Sequence, residues 1–250
     1  AGILPQLMME AGPAEWVALP GASAPDGQSP LIHARYEQLG AVFAALDGAG
    51  VTEICFAGAA SRQRFDGAAL DAETRALLPR IEAAQHKGDD ALLREIVAIF
   101  EGRGFTVRAA HELRPDLLAG DGALHGSAAP DGDAARARAV LAALGPLDVG
   151  QAAVAARGQV IGIETLQGTD AMLAFVADTA PGSGGVLVKR PKPGQDLRVD
   201  MPAIGPATIH AAAAAGLTGV ELAAGRTLLL DREAVIAACR DTGLNLWAVP

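Results

Sequence analysis

The stretch RTLLLDREAVIAACRDTGLNLWAV (residues 226–249) predicts one complete strand–helix–strand unit. Three leucines form the first strand, and Asp231 follows them in the position of a helix N-cap. The apolar residues after Asp231 recur at helical spacing to about Arg240, and Gly243 then ends the helix before a second apolar strand. A unit of this kind is typical of α/β folds, in which helices cover the faces of a sheet.

The segments that precede this unit repeat the same alternation. We predict a helix over residues 134–144, a hairpin over residues 152–164 that turns at Arg157 and Gly158, a helix that begins near Thr169, a buried strand over residues 184–189, and a helix from Pro206 that Gly216 closes. We expect Thr169 to act as the N-cap of its helix. The second half of the chain is therefore predicted to be α/β throughout.

The first half of the chain shows a similar pattern. The predicted strands are residues 16–19, 51–57 and 105–109, and the predicted helices are residues 5–11, 34–49, 71–85 and 89–102. The segment GDGALHGSAAPDGD (residues 120–133) has the composition of a linker. We therefore predict two α/β domains with a cleft between them, an N-terminal Rossmann-like domain with a mostly parallel sheet (residues 1–130) and a C-terminal domain (residues 131–250).

Composition narrows the classes of function. The chain has 29 acidic and 20 basic residues and a formal net charge of −9, which argues against nucleic acid as a partner and against electrostatic docking on an anionic membrane. Its two cysteines, Cys55 and Cys239, have no metal-ligand spacing, so we expect neither a disulfide framework nor a zinc site, and we expect a cytoplasmic location. No apolar run reaches the roughly 20 residues of a membrane helix.

Common catalytic and phosphate-binding motifs are missing from the sequence. Lys189 lies at the end of an apolar strand and not in a Gly-Lys-Ser/Thr loop, no G-x-G-x-x-G follows a strand, and no G-x-S-x-G or H-E-x-x-H occurs. The initial turn formed by Gly2, Ile3 and Leu4 enters a predicted helix and could offer backbone N–H groups to an anion. An ordinary strand-to-helix turn explains that segment equally well.

The most informative segment is KRPKPGQDLRVDMPAIGP (residues 189–206). Its prolines predict a rigid, extended loop between a strand and a helix, with Asp196 and Asp200 inside it. Glu164 and Asp170 lie at the end of the hairpin and at the start of the next helix, where strand ends gather along one sheet edge. Carboxylates that face lysines there favour a site for a divalent cation and a phosphate, although Asp196 and Asp200 could instead form surface ion pairs with Arg190 and Arg198.

Three motifs in the second half resemble the UDP-2,3-diacylglucosamine pyrophosphatases of the LpxI type, which serve lipid A synthesis. They are GTDAML (residues 168–173), KPGQDLRVDMPAIGP (residues 192–206) and AGRTLLLDRE (residues 224–233). The first half matches more loosely, through AGVTEICFAG (residues 49–58) and GDDALLREIV (residues 88–97) among other segments. The resemblance implies an enzyme that hydrolyses UDP-2,3-diacylglucosamine to UMP and 2,3-diacylglucosamine 1-phosphate (lipid X) by attack of water on the uridine-side phosphorus.

The residue patterns and the resemblance together give a set of predicted site residues, of which the resemblance implies Asp200, Asp170, Lys192 and Gln195. We predict that Asp200, Asp170 and Lys192 are catalytic and that Asp200, Asp170 and Glu164 bind a metal, Mg²⁺ or else Mn²⁺ or Co²⁺. The predicted substrate-binding residues are Gly2, Ile3, Leu4, Thr169, Lys189, Gln195, Asp196, Gly205 and Thr208. We expect transient contact with the cytosolic face of the inner membrane and a homodimer. A nucleotide-sugar transferase and a non-catalytic nucleotide- or lipid-binding module stay open as alternatives.

Overall fold

The computed structural model describes residues 16–19, 32–58, 65–128 and 131–250 and divides the chain into two compact units between Arg114 and Pro115. The elements of the first unit are β1 (Val17–Ala18), β2 (Ile32–His33), α1 (Leu39–Gly48), β3 (Glu53–Cys55), α2 (Ala72–Gln85), α3 (Asp89–Gly102), β4 (Thr106–Arg108) and α4 (Ala110–Leu113). Strand β1 pairs with β2 and β3 pairs with β4, both in parallel. The predicted helix over residues 5–11 lies outside the described residues.

Aromatic side chains form the centre of the first unit. Phe43 on α1 packs edge-on against Phe100 on α3 at 5.2 Å between ring centroids, and Phe105 stacks against Phe43 at 6.5 Å. The guanidinium of Arg103 lies 4.5 Å from the centroid of the Phe43 ring. These contacts join α1 and α3 around one apolar cluster, since aromatic pairs contribute more than their buried area alone.

Most predicted elements of the first unit are present with shorter bounds. Helix α3 has the predicted limits, and Asp71 caps α2 by accepting a hydrogen bond from the Thr74 amide at 2.7 Å. The helix predicted over residues 34–49 begins five residues late, at Leu39, because the Ala34 amide donates to the Ala18 carbonyl at 2.8 Å and extends the β1–β2 pairing. Parallel pairing therefore holds Ala34 outside the helix, and a turn in which the Gln38 amide donates to the Arg35 carbonyl precedes Leu39.

The second unit contains the larger sheet. Its elements are β5 (Gly122–His125), α5 (Asp131–Leu144), β6 (Ala152–Ala156), β7 (Gln159–Ile163), α6 (Gly168–Thr179), β8 (Val186–Lys189), β9 (Ala203–Ile204), α7 (Pro206–Ala214), β10 (Gly219–Ala223), β11 (Leu228–Leu229), α8 (Arg232–Thr242) and β12 (Asn245–Val249). Six strands form one sheet in the order β5-β12-β10-β8-β6-β7. Strands β8, β10 and β12 are parallel, whereas β5 and β6 run antiparallel to their neighbours β12 and β8. The large sheet is therefore mixed.

Alternating side chains place a hydrophobic core on each face of this sheet. Leu187, Leu222 and Leu246 pack with helices α6, α7 and α8 on one face. Val186 and Val188 pack with Ala134, Ala137 and Leu141 of α5 on the other face. Because successive strand residues point to opposite faces, the near-continuous apolar strands of this unit can serve both cores. The unit has three layers, with helices on both sides of the sheet.

Several predictions for the second unit need correction. The predicted linker, residues 120–133, contains β5 and the start of α5, so the division of the chain lies N-terminal to the predicted boundary at residue 130. Strand β10, in the middle of the sheet, was not predicted, because GVELA begins only three residues after Gly216 and contains a glutamate. The strand predicted before Asp231 is only β11, and it pairs with β9 outside the main sheet. Asp231 caps α8 as predicted, and Gly243 ends it.

No helix in the described ranges combines the length and apolar composition that crossing a bilayer requires.

The hairpin of β6 and β7 turns at Arg157 and Gly158, whose φ angles are 53° and 79°. Positive φ at both central residues matches the twist of two-residue hairpins, and Gly158 adopts it without a Cβ clash. The predicted turn is confirmed.

A buried ion pair links β10 to the α5 layer. Glu221 is 1% exposed, and both of its carboxylate oxygens accept from Arg138 Nη1 at 2.7 Å. The indole N–H of Trp247 donates to the same carboxylate at 3.0 Å. Loss of one partner would leave a buried charge uncompensated, which costs far more than loss of an exposed pair.

We expect the Arg138→Met variant to lose about 3 kcal/mol of unfolding free energy, because Glu221 would remain buried without its cation. Arg136 is exposed on the same helix, so Arg136→Met is a matched control that should change the free energy by less than about 0.5 kcal/mol. Urea denaturation followed by circular dichroism measures both. Equal free energies for the two variants would contradict this account of the ion pair.

Candidate functional site

The candidate site lies at one edge of the six-stranded sheet, where strands of both directions bring polar residues together. Lys189 is the last residue of β8, and it pairs in register with Ala152 at the beginning of antiparallel β6. Glu164 follows the end of β7, and its amide donates to the Ala152 carbonyl at 2.8 Å. The ends of β7 and β8 and the start of β6 therefore meet at this edge.

A buried chain of three polar side chains occupies this edge. Lys189 Nζ donates to Thr169 Oγ1 at 2.8 Å, and Thr169 Oγ1 donates to Glu164 Oε1 at 2.5 Å. The other oxygen of Glu164 accepts from the Gln151 amide at 2.9 Å. All three side chains are less than 10% exposed. Because hydrogen bonds satisfy each group, the ammonium group of Lys189 can remain buried.

Burial lowers the pKa of Lys189 below its ordinary value, and the negative charges of Glu164, Asp170 and Asp200 oppose that shift. Desolvation disfavours the charged ammonium, whereas nearby carboxylates favour it. The influence of all three carboxylates on one lysine also shows that the structure gathers residues that are far apart in the sequence. Strand β8 therefore places the Lys189 ammonium near three carboxylates.

Gln195 fixes the loop that follows β8, which we call the proline loop (residues 190–202). Its Oε1 accepts from the Lys192 amide at 2.7 Å, and its Nε2 donates to the Asp200 carbonyl at 2.6 Å and also to Asp200 Oδ2. Gln195 Nε2 lies 3.2 Å from Gln151 Oε1 as well. Gln195 is 7% exposed. One buried amide thus joins both ends of the loop to the sheet edge.

The Asp200 carboxylate and the Lys192 ammonium lie near each other beside this amide. Lys192 Nζ is 4.0 Å from Asp200 Oδ2 and forms a closer ion pair with Asp148. The Asp200 side chain is 26% exposed, so solvent and a ligand can reach its carboxylate while Gln195 holds its orientation. A carboxylate fixed beside an ammonium group can bind the phosphate of a ligand through the lysine and a water or a cation through its own oxygens.

The other predicted site residues differ in their surroundings. Asp196 forms an ion pair with Arg198 at 2.7 Å, which is the surface pairing that we weighed for it. Asp170 is exposed in the first turn of α6. Gly205 is the N-cap of α7, and Thr208 lies in the first turn, where its amide donates to the Gly205 carbonyl at 3.0 Å. Gly2, Ile3 and Leu4 lie outside the described residues.

One local prediction in this region is wrong. Thr169 is not the N-cap of α6, because the helix begins at Gly168 and the preceding residue is Gln167. The Thr169 hydroxyl bonds to Glu164 and Lys189 instead of to a backbone amide. The side chain therefore links α6 to β7 and β8 and does not serve its own helix.

Asp148 and Gln151 belong to the site but were not predicted from the sequence. Both precede β6, whereas site residues were expected at the ends of strands and at the starts of helices. The antiparallel direction of β6 brings its N-terminal end to the same edge. The predicted hairpin was a usable signal. Its two strands run in opposite directions, so one of them must begin at the sheet edge where the other ends.

The acidic residues of the site differ in how accessible they are to a metal ion. No group of three or more His, Cys, Asp or Glu side chains that could hold a metal occurs in the described part of the chain. Glu164 directs both oxygens to protein donors. Asp170 and Asp200 are at least partly exposed, so a ligand can reach their carboxylates, and an ion such as Mg²⁺ takes one or two carboxylates and completes its shell from substrate and water.

Comparison with known proteins identifies the chain's relatives. Residues 122–247 match the family described as LpxI C-terminal domain, and residues 9–117 match the LpxI N-terminal domain. A curated protein of Caulobacter vibrioides, named UDP-2,3-diacylglucosamine pyrophosphatase LpxI, is 46% identical over 222 residues. The aligned region covers 85% of this chain and 79% of that protein. The resemblance seen in the sequence motifs is thereby confirmed, and the chain belongs to the LpxI family.

Proposed function

We propose that this chain hydrolyses the pyrophosphate bond of UDP-2,3-diacylglucosamine to UMP and 2,3-diacylglucosamine 1-phosphate. The observation that carries the proposal is the fixed carboxylate of Asp200 beside Lys192, within a segment that the LpxI C-terminal domain family covers. The name of the Caulobacter relative supports the substrate and the reaction class. The reaction consumes water and breaks an acid anhydride.

Each residue of the site has a distinct part in this chemistry. The oxygen of a water molecule forms a bond to the uridine-side phosphorus, and the bond from that phosphorus to the bridging oxygen breaks. Asp200 orients the water through a hydrogen bond and accepts its proton, while Gln195 holds the Asp200 carboxylate in place. Lys192 and Lys189 offset the negative charge of the phosphates.

We also propose that a divalent cation, Mg²⁺ or else Mn²⁺ or Co²⁺, takes part. Asp200 and Asp170 would hold it, and Glu164 would hold Thr169 and Lys189 in position beside them. When bound, such an ion would neutralise charge on the phosphoryl oxygens. The ordering of Asp200 by Gln195 does not depend on the ion, since it is made entirely by protein groups.

Further parts of the proposal concern the first unit and the surroundings of the protein. We propose that the first unit is Rossmann-like, and the parallel pairing of the strands in that unit supports this proposal. We also propose that the first unit binds the nucleotide and that the substrate lies in a cleft between the units. Because the substrate carries two acyl chains, we propose that the protein binds transiently to the cytosolic face of the inner membrane. A homodimer is proposed from the family resemblance alone.

The Asp200→Asn variant should hydrolyse the substrate at least about a hundredfold more slowly, because the amide cannot accept the proton of the attacking water. Substrate affinity should remain within a few-fold, since Lys192 and Lys189 are unchanged. Asp241 is exposed on α8, so Asp241→Asn makes the same chemical change at a remote position of the second unit. UMP release at saturating substrate gives the hydrolysis rate of each variant. Comparable rates for the two variants would contradict the role of Asp200.

Replacement of Gln195 by methionine should reduce kcat about ten- to a hundredfold with little change in KM, because the Asp200 carboxylate loses the donor that orients it. The Gln195→Glu variant should be slow at neutral pH, where two carboxylates repel each other, and should recover partly as the pH falls and the new side chain gains a proton. Gln159→Met, at an exposed position of β7, is the control. A Gln195→Met enzyme with the wild-type kcat would remove Gln195 from the mechanism.

Metal dependence has its own test. Treatment of the purified protein with EDTA followed by dialysis should abolish UMP release, and Mg²⁺, Mn²⁺ or Co²⁺ should restore it. Mass spectrometry of the products with ¹⁸O-labelled water should place the label in UMP, which also distinguishes hydrolysis from transfer to another acceptor. Full activity after EDTA would refute the cation, and substrate left unchanged under every condition would favour a binding module.

A further inference from the structure

An open apolar groove lies between the edge strand β7 and helix α6 of the second unit. Its volume is about 470 Å³, and none of the residues that line it carries a charge. The side chains that form most of its walls are Val160, Ile161, Ile163, Met172 and Phe175. Binding sites for small ligands have volumes of about 300–1,000 Å³, so the groove is large enough for part of a substrate.

Large apolar side chains remain exposed along this groove. Ile163, Leu166 and Phe175 are 39%, 76% and 59% exposed, and they make up three of the five large hydrophobic residues exposed in the described ranges. Ile163 and Phe175 line the groove, and Leu166 lies between the lining residues Thr165 and Gln167. Clustered apolar exposure of this kind marks a binding surface more often than isolated apolar residues do.

A glycine allows the helix to approach the strand at the base of the groove. A Cβ atom at Gly162 would lie 2.8 Å from Val176 Cγ2 and 3.1 Å from Met172 Cγ. Helix α6 therefore packs directly on the backbone of β7 at this point, with Met172 and Val176 buried. The groove runs beside this contact and has a fixed apolar floor.

The turn between β7 and α6 lines one part of the groove and is flanked in the chain by two residues of the polar cluster. Thr165 and Gly168 line the groove, and they directly follow Glu164 and directly precede Thr169 in the chain. The Gly168 amide donates to the Thr165 carbonyl at 2.9 Å, which closes the turn between β7 and α6. Ala171 lines the groove immediately after Asp170. A ligand with its polar group at the cluster can therefore extend an apolar tail along the groove.

We propose that the groove between β7 and α6 binds one acyl chain of the diacylated sugar nucleotide, with the sugar phosphate at the Glu164–Thr169–Lys189 end. This inference rests on the proposed function, because that substrate supplies the chain. The uncharged lining suits a hydrocarbon tail and offers no cation to a phosphate or a nucleotide. Each methylene group that leaves water for the groove improves binding by about fourfold.

The Phe175→Glu variant tests the groove, because it introduces a charge into the wall without altering the polar cluster. Ala174 is exposed on the same helix and does not line the groove, so Ala174→Glu is the matched control. At a fixed detergent concentration, Phe175→Glu should raise KM for UDP-2,3-diacylglucosamine at least about tenfold, with kcat nearly unchanged. Ala174→Glu should retain the wild-type KM.

A series of substrates with acyl chains of different lengths gives a second readout. For the wild-type protein and Ala174→Glu, kcat/KM should rise with chain length until the groove is filled. For Phe175→Glu the dependence should be much weaker, since the chain no longer gains apolar contacts. The same steep dependence in all three proteins would overturn the proposal.

A measurement on the wild-type protein covers the case in which Phe175→Glu does not fold. A substrate analogue with a photoactivatable diazirine near the end of one acyl chain should cross-link to residues 160–175, as identified by mass spectrometry of peptides. Cross-links confined to other segments would overturn the proposal. So would a change of oligomeric state or of vesicle binding in Phe175→Glu with an unchanged KM, since the groove would then serve a second copy or a bilayer.

Failure of the groove and failure of the proposed function give different results. If the wild-type protein releases no UMP from the diacylated substrate, the proposed function is wrong, and the proposal that depends on it is overturned as well. If the wild-type protein is active and Phe175→Glu matches Ala174→Glu in both KM and chain-length dependence, only the groove proposal is overturned.

Discussion

The site depends on the hydrogen bonds of one buried amide, that of Gln195. Its oxygen accepts from the Lys192 backbone and its nitrogen donates to the carbonyl and carboxylate of Asp200, so two residues eight positions apart in sequence are held by one side chain. The prolines of the loop limit its backbone freedom, but they do not set the direction of the Asp200 carboxylate. Gln195 sets that direction, and a carboxylate that is already oriented loses little entropy when it engages water or a cation.

The mixed direction of the sheet determines what surrounds this loop. Parallel β8 delivers Lys189 to the edge, and the antiparallel β6 begins there, which brings Gln151 next to Gln195. Strand β7 ends at the same edge and leads through Glu164 into helix α6. The same β7–α6 connection borders both the polar cluster and the apolar groove. A phosphate and a hydrocarbon tail can therefore be bound by adjacent parts of one supersecondary element.

The sequence predicts much of this arrangement because local signals are strong in the second unit. Asp231, Gly243, Pro206 and the Arg157–Gly158 turn appear where capping and turn rules place them. The failures have tertiary causes: β10 contains Glu221, whose burial in a central strand depends on partners from other elements, Arg138 on α5 and Trp247 on β12. Asp148 and Gln151 were missed because strand direction depends on pairing, and Thr169 was misassigned because its hydroxyl bonds across elements.

The central claim is that the Asp200 carboxylate faces the bond that breaks. A crystal structure of the protein with a methylene-bridged, non-hydrolysable analogue of UDP-2,3-diacylglucosamine tests it most directly. The account predicts that Asp200 contacts the uridine-side phosphoryl group through one water or one cation, with Gln195 still bonded to its carboxylate. An Asp200 carboxylate that points away from the bridge, with the diphosphate bound elsewhere, would contradict it.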